Sequence, residues 1–436
     1  MRALVRPEAA RRRAEQLGLE IAKFLVVRET ASSAERLDFV EQTLLNRTVS
    51  FVPRIMPAPA IGFAMLGLAE KLMGDAAKEG DLQAVLRGLA HNVTTEMDLS
   101  LWALASRIRS DKDSAAEFRN GTPDRWAARF RSGTLPAVLQ HGLTEFLGQF
   151  GHRAVAEIDV GMPRWSDDPL HLRGVLANYL RLENEESAPD AVFARGRRDA
   201  EAMIETLTSR ARQRSRLRAR MVRFALGRAR ALTGLRELPK YYLVIVIAAV
   251  RKQLQIVGAE LAAAGHLDQQ DDVFFADLTE VRAGLGGRDL RGLVATRKAT
   301  YERELRRRHI PRVLLSDGTE PEALLPAAPA GDGSLAGTPA SAGTVTAPAH
   351  VIIDPLGAHL EPGEILVAPS TDPGWTPLFL TAGGLVMEMG SANSHGAVVA
   401  REYGIPAVVG VPNATARITT GQHITVDGGA GTVTVR

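Results

Sequence analysis

The sequence has no cysteine, which excludes disulfide bonds and thiolate metal sites. It also has no run of eighteen apolar residues, and its most apolar stretch, residues 241–250, is too short to span a bilayer and predicts a buried helix. The first residues lack an apolar signal core, lysine occurs only seven times, and no nucleotide-binding glycine loop is present. These absences, with an ordinary hydrophobic content of 45%, predict a globular cytoplasmic protein.

The chain, with 436 residues, has room for two to four domains, and its residue pattern and composition change along its length. Apolar residues recur at helical spacing in residues 10–27, 84–108, 191–232 and 241–264, and Pro53, Pro57 and Pro59 are expected to break the chain between the first helices. Proline and glycine then cluster in a stretch that predicts a linker. The predicted fold class is multidomain α and α/β: a large mostly helical domain (1–319), a linker (320–334) and a small β/α domain (335–436).

The β/α domain is predicted from short apolar runs rich in β-branched residues and separated by glycine turns. The expected strands are residues 344–346, 350–354, 365–368, 384–387, 407–410, 423–427 and 432–435.

Arginine alternates with other residues from Arg210 to Arg220. Such a pattern could contact nucleic acid or nucleotide phosphate. Arginine replaces lysine along most of this chain, so a solvated helix face is the favoured interpretation. We therefore expect no nucleic-acid partner. The absence of a long apolar run leads us to expect no association with a membrane either.

One histidine, His395, stands where a polar loop leads into a short helix. Residues 396–403 predict the helix, Gly404 is placed to end it, and the following Ile405-Pro406 cannot continue it. Free backbone N–H groups and the positive end of the helix dipole favour an added anion at such a position. An imidazole there suits a side chain that carries a phosphoryl group, although a histidine that only caps the helix is the alternative.

Residues 394–410 read Ser-His-Gly-Ala-Val-Val-Ala-Arg-Glu-Tyr-Gly-Ile-Pro-Ala-Val-Val-Gly. This run resembles the phosphohistidine segment of the swivelling domain in phosphoenolpyruvate-utilising enzymes, except that Ser391 stands where the family usually has a second glycine. The resemblance implies that His395 is the nucleophile and phosphoryl carrier, with Asn393 and Ser394 close to the phosphate.

Residues 371–379 resemble the loop that precedes the histidine strand in the same family. Asp372 and Thr376 in this loop could orient His395 or its phosphate. The alternative is that both are ordinary turn residues, with Asp372 as a cap.

Three stretches of the helical region, residues 92–99, 150–169 and 235–242, combine polar, glycine and aromatic residues in a way that suits a pocket. Arg236 and Lys240 have helical spacing and would offer two cations to a transferring phosphoryl group, with Glu237 beside them. His152 and Arg153 could supply a base and an orienting charge. An ion-paired surface or buried network is the alternative for both groups.

From about residue 80 onward the chain resembles the rifampin phosphotransferase branch of that family. There, an ATP-grasp domain splits ATP, and the β-phosphoryl group passes to the swivelling histidine and then to a substrate hydroxyl. The resemblance gives Arg236 and Lys240 the role of stabilising charge at the acceptor step. The family's ATP-grasp domain has no counterpart in these residues, so we expect a separate ATP-grasp protein to supply it, with ATP and Mg²⁺. No cofactor and no metal ligand are predicted for this chain.

The sequence therefore predicts a phosphotransferase component of dikinase type, in which His395 receives a phosphoryl group and passes it to a hydroxyl of a small, rifampin-like or other acceptor. One alternative is a non-catalytic remnant that binds an apolar ligand such as an ansamycin. Another is a phosphoenolpyruvate synthase-like component, which the resemblance of residues 235–330 to the antibiotic-modifying branch disfavours.

The charge is unevenly distributed along the chain. Residues 334–436 contain three Arg and Lys against seven Asp and Glu, a net −4, and the remainder of the chain is +7. An acidic small domain working against a basic body would suit a mobile phosphate shuttle, although plain surface variation gives the same numbers.

Overall fold

The computed structural model describes residues 6–44, 48–78, 80–182, 188–307, 311, 313–321, 334–355, 358–392 and 394–435. The chain forms two compact units. Unit 1 comprises Met1–Ile21, Ser50–Ile245 and Ser334–Arg436, and unit 2 comprises Ala22–Val49 and Val246–Gly333. The predicted order of a mostly helical region followed by a mixed sheet is confirmed. The predicted domain limits stay a prediction, since most of the linker, residues 322–333, lies outside the described residues.

Eighteen α-helices occur in the described residues. They are α1 (Pro7–Phe24), α2 (Ser33–Gln42), α3 (Thr48–Ile55), α4 (Pro57–Met73), α5 (Asp81–Val85), α6 (Val93–Ser110), α7 (Lys112–Asn120), α8 (Pro123–Arg131), α9 (Ala137–Phe150), α10 (Leu170–Leu180), α11 (Pro189–Arg214), α12 (Arg216–Thr233), α13 (Leu238–Ala263), α14 (Leu278–Leu285), α15 (Arg291–Leu305), α16 (Thr376–Phe379), α17 (His395–Tyr403) and α18 (Ala414–Arg417).

Two of the four predicted long helices are each divided in two. The run 84–108 is interrupted between α5 and α6, where Gly88 and His91 take positive φ angles of 54° and 65°. The run 191–232 is divided at Ser215, whose extended backbone and side chain cap α12 by accepting from the Leu217 N–H. Apolar spacing continues through both breaks, so periodicity alone does not show them.

The expectation that three prolines break the chain between the first helices holds for Pro57, which begins α4 just after α3 ends at Ile55. It was wrong for Pro53, which lies inside α3, and for Pro59, which lies in the first turn of α4. Pro59 is tolerated because the first turn of a helix leaves the N–H that proline lacks unpaired.

The helical part of unit 1 is organised around a core that α6, α9 and α10 share. Trp126 and Trp165 are buried in this core, and Trp102 meets Tyr179 edge to face with ring centroids 5.7 Å apart. A second apolar cluster joins α4, α11 and α12. Two of the three predicted polar stretches lie at the start of α6 and at the start of α13, and the third follows α9.

In unit 2, capped helix ends and the buried Arg36 stabilise the fold locally. Ser32 and Glu35 form a capping box at the start of α2, and Asp277 and Glu280 form another at the start of α14. The buried Arg36 guanidinium donates to the Gln253 side chain and, at 2.7 Å, to the carbonyl of Glu29.

By length and composition, the helical stretch Arg216–Ala263 would be able to cross a membrane. Within its most apolar window, 56% is buried inside the protein. A core helix meets the same criteria, so this feature is only weak evidence for a membrane span.

Residues 334–436, called the sheet domain below, form one eight-stranded mixed sheet. Its strands are β1 (Ser334–Ala336), β2 (Thr338–Ser341), β3 (Thr344–Val351), β4 (Ile365–Ala368), β5 (Gly384–Met387), β6 (Ala407–Val409), β7 (His423–Asp427) and β8 (Thr432–Val435), in the order β1-β8-β7-β3-β4-β5-β6-β2. Five predicted strands are confirmed, and 344–346 with the start of 350–354 form the single strand β3.

Strands β3, β4, β5 and β6 are parallel neighbours. Parallel neighbours end at the same edge of a sheet, so the loops that follow β4 and β5 lie side by side. The first of these loops contains Asp372 and Thr376, and the second leads to His395.

Candidate functional site

Helix α17 begins at His395, one residue before its predicted start, and ends at Tyr403 as predicted. Ser394 is the N-cap residue, but its hydroxyl donates to the carbonyl of Ser391 at 2.8 Å and makes no cap hydrogen bond to the helix. Gly404 ends the helix in the left-handed conformation, with φ of 70°. Among the residues that the structure describes, no side chain therefore caps the first turn of α17, which suits a site that receives an anion. Asn393 lies outside the described residues.

Gly396 allows the first turn of α17 to pack closely on the sheet. A Cβ atom there would lie 2.4 Å from Cε of Met387 in β5 and 2.5 Å from Oγ1 of Thr371. Any side chain at this position would push the helix start, and His395 with it, away from the strand.

The His395 ring is held on one side by Thr376. Thr376 Oγ1 lies 2.9 Å from Nε2 of His395, at hydrogen-bond distance, and Thr376 is fully buried at the start of α16. The His395 side chain is 12% exposed. The adjacency of β4 and β5 explains why two residues nineteen positions apart meet here.

Nδ1 of His395 faces Glu237, which lies in a short 3₁₀ helix, Gly234–Glu237, that precedes α13. Glu237 Oε2 is 3.6 Å from Nδ1, and Glu237 Oε1 accepts from Nη1 of Arg236 at 2.5 Å. Burial opposes the charge on Glu237, but His395, Arg236 and Lys240 outweigh it and lower the pKa of this carboxyl to about 2. Glu237 is therefore a carboxylate at neutral pH that faces the histidine.

Lys240 and Arg153 meet at a second carboxylate, that of Glu157. Lys240 Nζ is 3.1 Å from Glu157 Oε1, Arg153 Nη1 is 3.0 Å from the same atom, and the Glu157 side chain is fully buried. Arg236 and Lys240 are thus each anchored by a different carboxylate. They do not occupy one regular helix face as predicted, because the 3₁₀ turn and α13 meet between them.

The surroundings of His152 do not suit a role in proton transfer. Its ring meets Tyr241 edge to face at 4.9 Å between centroids. Burial, with Arg153 and Arg164 nearby, lowers the pKa of His152 to about 3. A group with that pKa is a weak base at neutral pH, so the predicted activation of an acceptor hydroxyl by His152 has no support in its environment.

Asp372 joins the sheet domain to the helical part of unit 1. It accepts from the backbone N–H of Ala156 at 2.5 Å and of Gly374 at 2.8 Å, and burial raises the pKa of its carboxyl. Nearby, Nε2 of His171 lies 3.0 Å from the carbonyl of Gly374. The described contacts of Asp372 are with the main chain and not with His395, which differs from the orienting role that the sequence suggested.

Glu402, on the helix that begins with His395, was not predicted as part of the site. It is 3% exposed, and its carboxylate accepts from Nδ2 of Asn92 at 2.7 and 2.8 Å and from Oγ1 of Thr95 at 2.9 Å. The one sequence signal for its burial is its position three residues after Val399, on the buried face of α17.

A narrow cleft lies between α17 and the helices that face it. Its volume including the open mouth is about 390 Å³, but its interior has space for only about two water molecules. It is lined by Phe63, Leu86, Leu89, Asn92, Thr233, Arg236, Glu237, Val398, Arg401 and Glu402. Its lining combines apolar side chains with the Arg236–Glu237 pair.

The family models that match this chain define the class of protein to which its fold and site belong. Residues 360–431 match the family described as the PEP-utilising enzyme mobile domain, and residues 54–237 match the rifampicin phosphotransferase fourth domain. The predicted relationship to the phosphoenolpyruvate-utilising enzymes, and to rifampicin phosphotransferases among them, is confirmed over these regions.

Particular relatives agree with this class. Rifampicin phosphotransferases of Streptomyces sviceus and Bacillus subtilis are 36% and 31% identical over 350 and 383 residues, which cover 79% and 85% of this chain. The prodigiosin synthesizing transferase PigC of Serratia marcescens is 28% identical over 438 residues and 96% of this chain. The matches cover 40%, 43% and 47% of those three proteins, so the chain spans less than half of their length.

Proposed function

We propose that this chain is a phosphotransferase component in which His395 carries a phosphoryl group and passes it to a hydroxyl of a small-molecule acceptor. The observation that carries the proposal is the position of His395. His395 begins α17, whose first turn has no side-chain cap among the described residues. Thr376 lies at hydrogen-bond distance from Nε2 of His395, and the Glu237 carboxylate with its partner Arg236 faces Nδ1.

The two contacts of the ring suggest which nitrogen reacts. A carboxylate can only accept, so Glu237 favours the tautomer that carries its proton on Nδ1. Nε2 then holds a lone pair that accepts from the Thr376 hydroxyl before the reaction. When the donor binds, this hydroxyl turns away and the lone pair attacks the phosphorus of the donor. The N–P bond forms as the P–O bond of the donor breaks, and the electron pair leaves with the donor oxygen.

In the second step the acceptor oxygen attacks the phosphorus and the N–P bond breaks. The bonding pair returns to the imidazole, and the hydroxyl proton ends on the ring. Arg236 and Lys240 stabilise the negative charge of the transferring group, and Ser394, Asn393 and the N–H groups of the first turn of α17 bind its oxygens.

The donor side of the reaction lies outside this chain in our proposal. A separate ATP-grasp protein cleaves ATP with Mg²⁺ and charges His395, and both proteins are located in the cytoplasm. Among the described residues, no cluster of three or more His, Asp or Glu side chains could hold a metal ion.

The acceptor is a small hydroxylated molecule, and the names of the relatives suggest a rifampicin-like one. In the arrangement of the structure the cleft beside Glu237 has no space for such a molecule. We therefore propose that the sheet domain moves away to admit the acceptor and returns for transfer.

The test is to mix the chain with an ATP-grasp partner and ATP labelled at the β-phosphoryl group. We expect label on the wild-type chain that is stable in base and lost in acid, as a phosphohistidine requires. The His395→Ala chain should take up none, and the exposed His423→Ala chain should label like wild type.

Equal labelling of the wild-type and His395→Ala chains would falsify the carrier role. A chain that takes up no label from any partner, yet binds an ansamycin tightly, would instead support the non-catalytic remnant. Formation of phosphoenolpyruvate from pyruvate would support the synthase-like alternative.

A further inference from the structure

A buried carboxylate lies at the contact between α17 and the helical part of unit 1. Glu402 is seven residues beyond His395, and its two oxygens meet Asn92 and Thr95 at the start of α6. Asn92 is also the N-cap of α6, since its Oδ1 accepts from the Thr94 N–H at 3.0 Å. Glu402 thus sits at the positive end of the α6 dipole, across more than 300 residues of sequence.

This contact is one of several polar attachments between the helices and α17 or the loop that contains Asp372. Another is Asp372 itself, which accepts from the Ala156 N–H. Both attach the sheet domain by a carboxylate that would be solvated if the domain moved away. Glu402 lies on the same rigid helix as His395, so its position fixes the position of that helix more directly than Asp372 does.

We propose that Glu402 is a positioning residue, whose carboxylate docks α17 on Asn92 and Thr95 and thereby sets His395 opposite Glu237. This inference rests on the proposed function, because it assumes that the sheet domain undocks and returns. Glu402 is not a catalytic residue, since its contacts are with α6 and not with the reacting groups.

The surroundings of Glu402 make the docking dependent on pH. Burial raises the pKa of Glu402 to about 7, against the hydrogen bonds from Thr95 and Asn92, which lower it. The charged and titratable groups that face it are Glu237 and Arg236 from the 3₁₀ helix, Asp98 from α6, and Arg401 and Tyr403 from α17 itself.

The sign of the dependence follows from this raised pKa. Solvated in the undocked state, Glu402 would have a pKa near its ordinary value of 4.5. Undocking then releases a proton between about pH 4.5 and pH 7, so docking weakens as pH rises through that interval and is constant above it. A carboxylate that costs free energy to bury keeps the docked state reversible at neutral pH, as a shuttle requires.

The experiment measures docking directly, without any reaction. The chain has no cysteine, so the exposed residues Gln213 and Ala416 can be replaced by cysteine and spin-labelled, one on the helical part and one on the sheet domain. The distance distribution gives the docked fraction. For wild type, we expect the ratio of docked to undocked chains to fall by at least about tenfold between about pH 5 and about pH 8.

Two substitutions test the role of Glu402. Glu402→Gln keeps one acceptor oxygen but cannot ionise, so its docked fraction should lose the part of the pH dependence that Glu402 contributes and keep only the part from Asp372. Glu402→Ala leaves Asn92 and Thr95 without their acceptor, so it should dock poorly at every pH. Glu205→Gln, the same chemical change at an exposed pair with Arg223, is the matched control and should follow wild type.

Phosphoryl labelling of the same variants distinguishes a positioning role of Glu402 from a merely structural one. Charging of His395 should be unchanged in Glu402→Ala, while transfer from phosphorylated His395 to the acceptor should slow by about tenfold or more. Docked fractions that match wild type in both Glu402 variants would overturn the inference, and so would an equal loss of charging and transfer. If docking responds as expected but His395 takes up no label, the positioning role stands and the proposed function fails.

Discussion

At the scale of single residues, the site depends on what each ring nitrogen of His395 contacts. The sequence identifies His395 and suggests Thr376 as an orienting residue, and the structure brings the two together at 2.9 Å. It could not indicate that Glu237 would face the other nitrogen, because that contact joins parts of the chain about 160 residues apart. Motifs locate the groups on each local segment, but the pairing of segments depends on the packing of whole helices.

Removing the Thr376 hydroxyl is predicted to slow charging of His395. Thr376→Val has nearly the same shape but no longer orients the ring through Nε2 before the donor binds, so we expect the rate of labelling to fall by about three- to tenfold, the effect of one lost hydrogen bond. Thr376→Ser restores the hydroxyl and should label close to the wild-type rate. Similar melting temperatures for both variants would assign the effect to the site, and a Thr376→Val chain that labels as fast as wild type would contradict the role.

At the scale of elements, strands were better predicted than helix ends. A strand such as β7 or β8 is a short β-branched run between glycines, which is a local signal. The break at Ser215 depends on one serine with an extended backbone in a sequence that otherwise favours helix. The partners of Glu402 could not be predicted from α17, since Asn92 and Thr95 belong to α6.

The close packing of α17 on β5 gives a prediction about stability. Gly396→Ala would place a Cβ 2.4 Å from Met387 Cε, and Met387 is only 2% exposed, so the methionine has little room to yield. We expect a loss of about 1–3 kcal/mol in the free energy of unfolding, measured by denaturant titration. Gly227→Ala in α12 has no atom within 4 Å of its new Cβ and should instead stabilise by about 0.5–1 kcal/mol. Equal effects of the two substitutions would show that the contact at Gly396 relaxes freely.

At the scale of the whole molecule, the two carboxylate attachments and the charge distribution act in opposite directions. Burial of Glu402 and Asp372 disfavours the docked state at neutral pH, because both pKa values are raised there. The net charge of −4 on residues 334–436 and +7 on the remainder favours docking through the longer-range field. Salt strongly weakens only the attraction between the two net charges, since screening acts through solvent and scarcely on buried groups.

Salt is therefore predicted to undock the sheet domain. Raising KCl from about 0.1 M to about 1 M shortens the Debye length from about 10 Å to about 3 Å, and we expect the docked-to-undocked ratio of the spin-labelled chain to fall by about two- to fivefold. Arg417→Glu changes the charge of residues 334–436 from −4 to −6 at an exposed position and should make the dependence on salt steeper. Glu402→Gln should keep the wild-type salt dependence while losing the part of the pH dependence that Glu402 contributes, because salt and pH act through different charges. A docked fraction that rises with salt would show that apolar contacts, and not the charge asymmetry, attract the sheet domain to the helices.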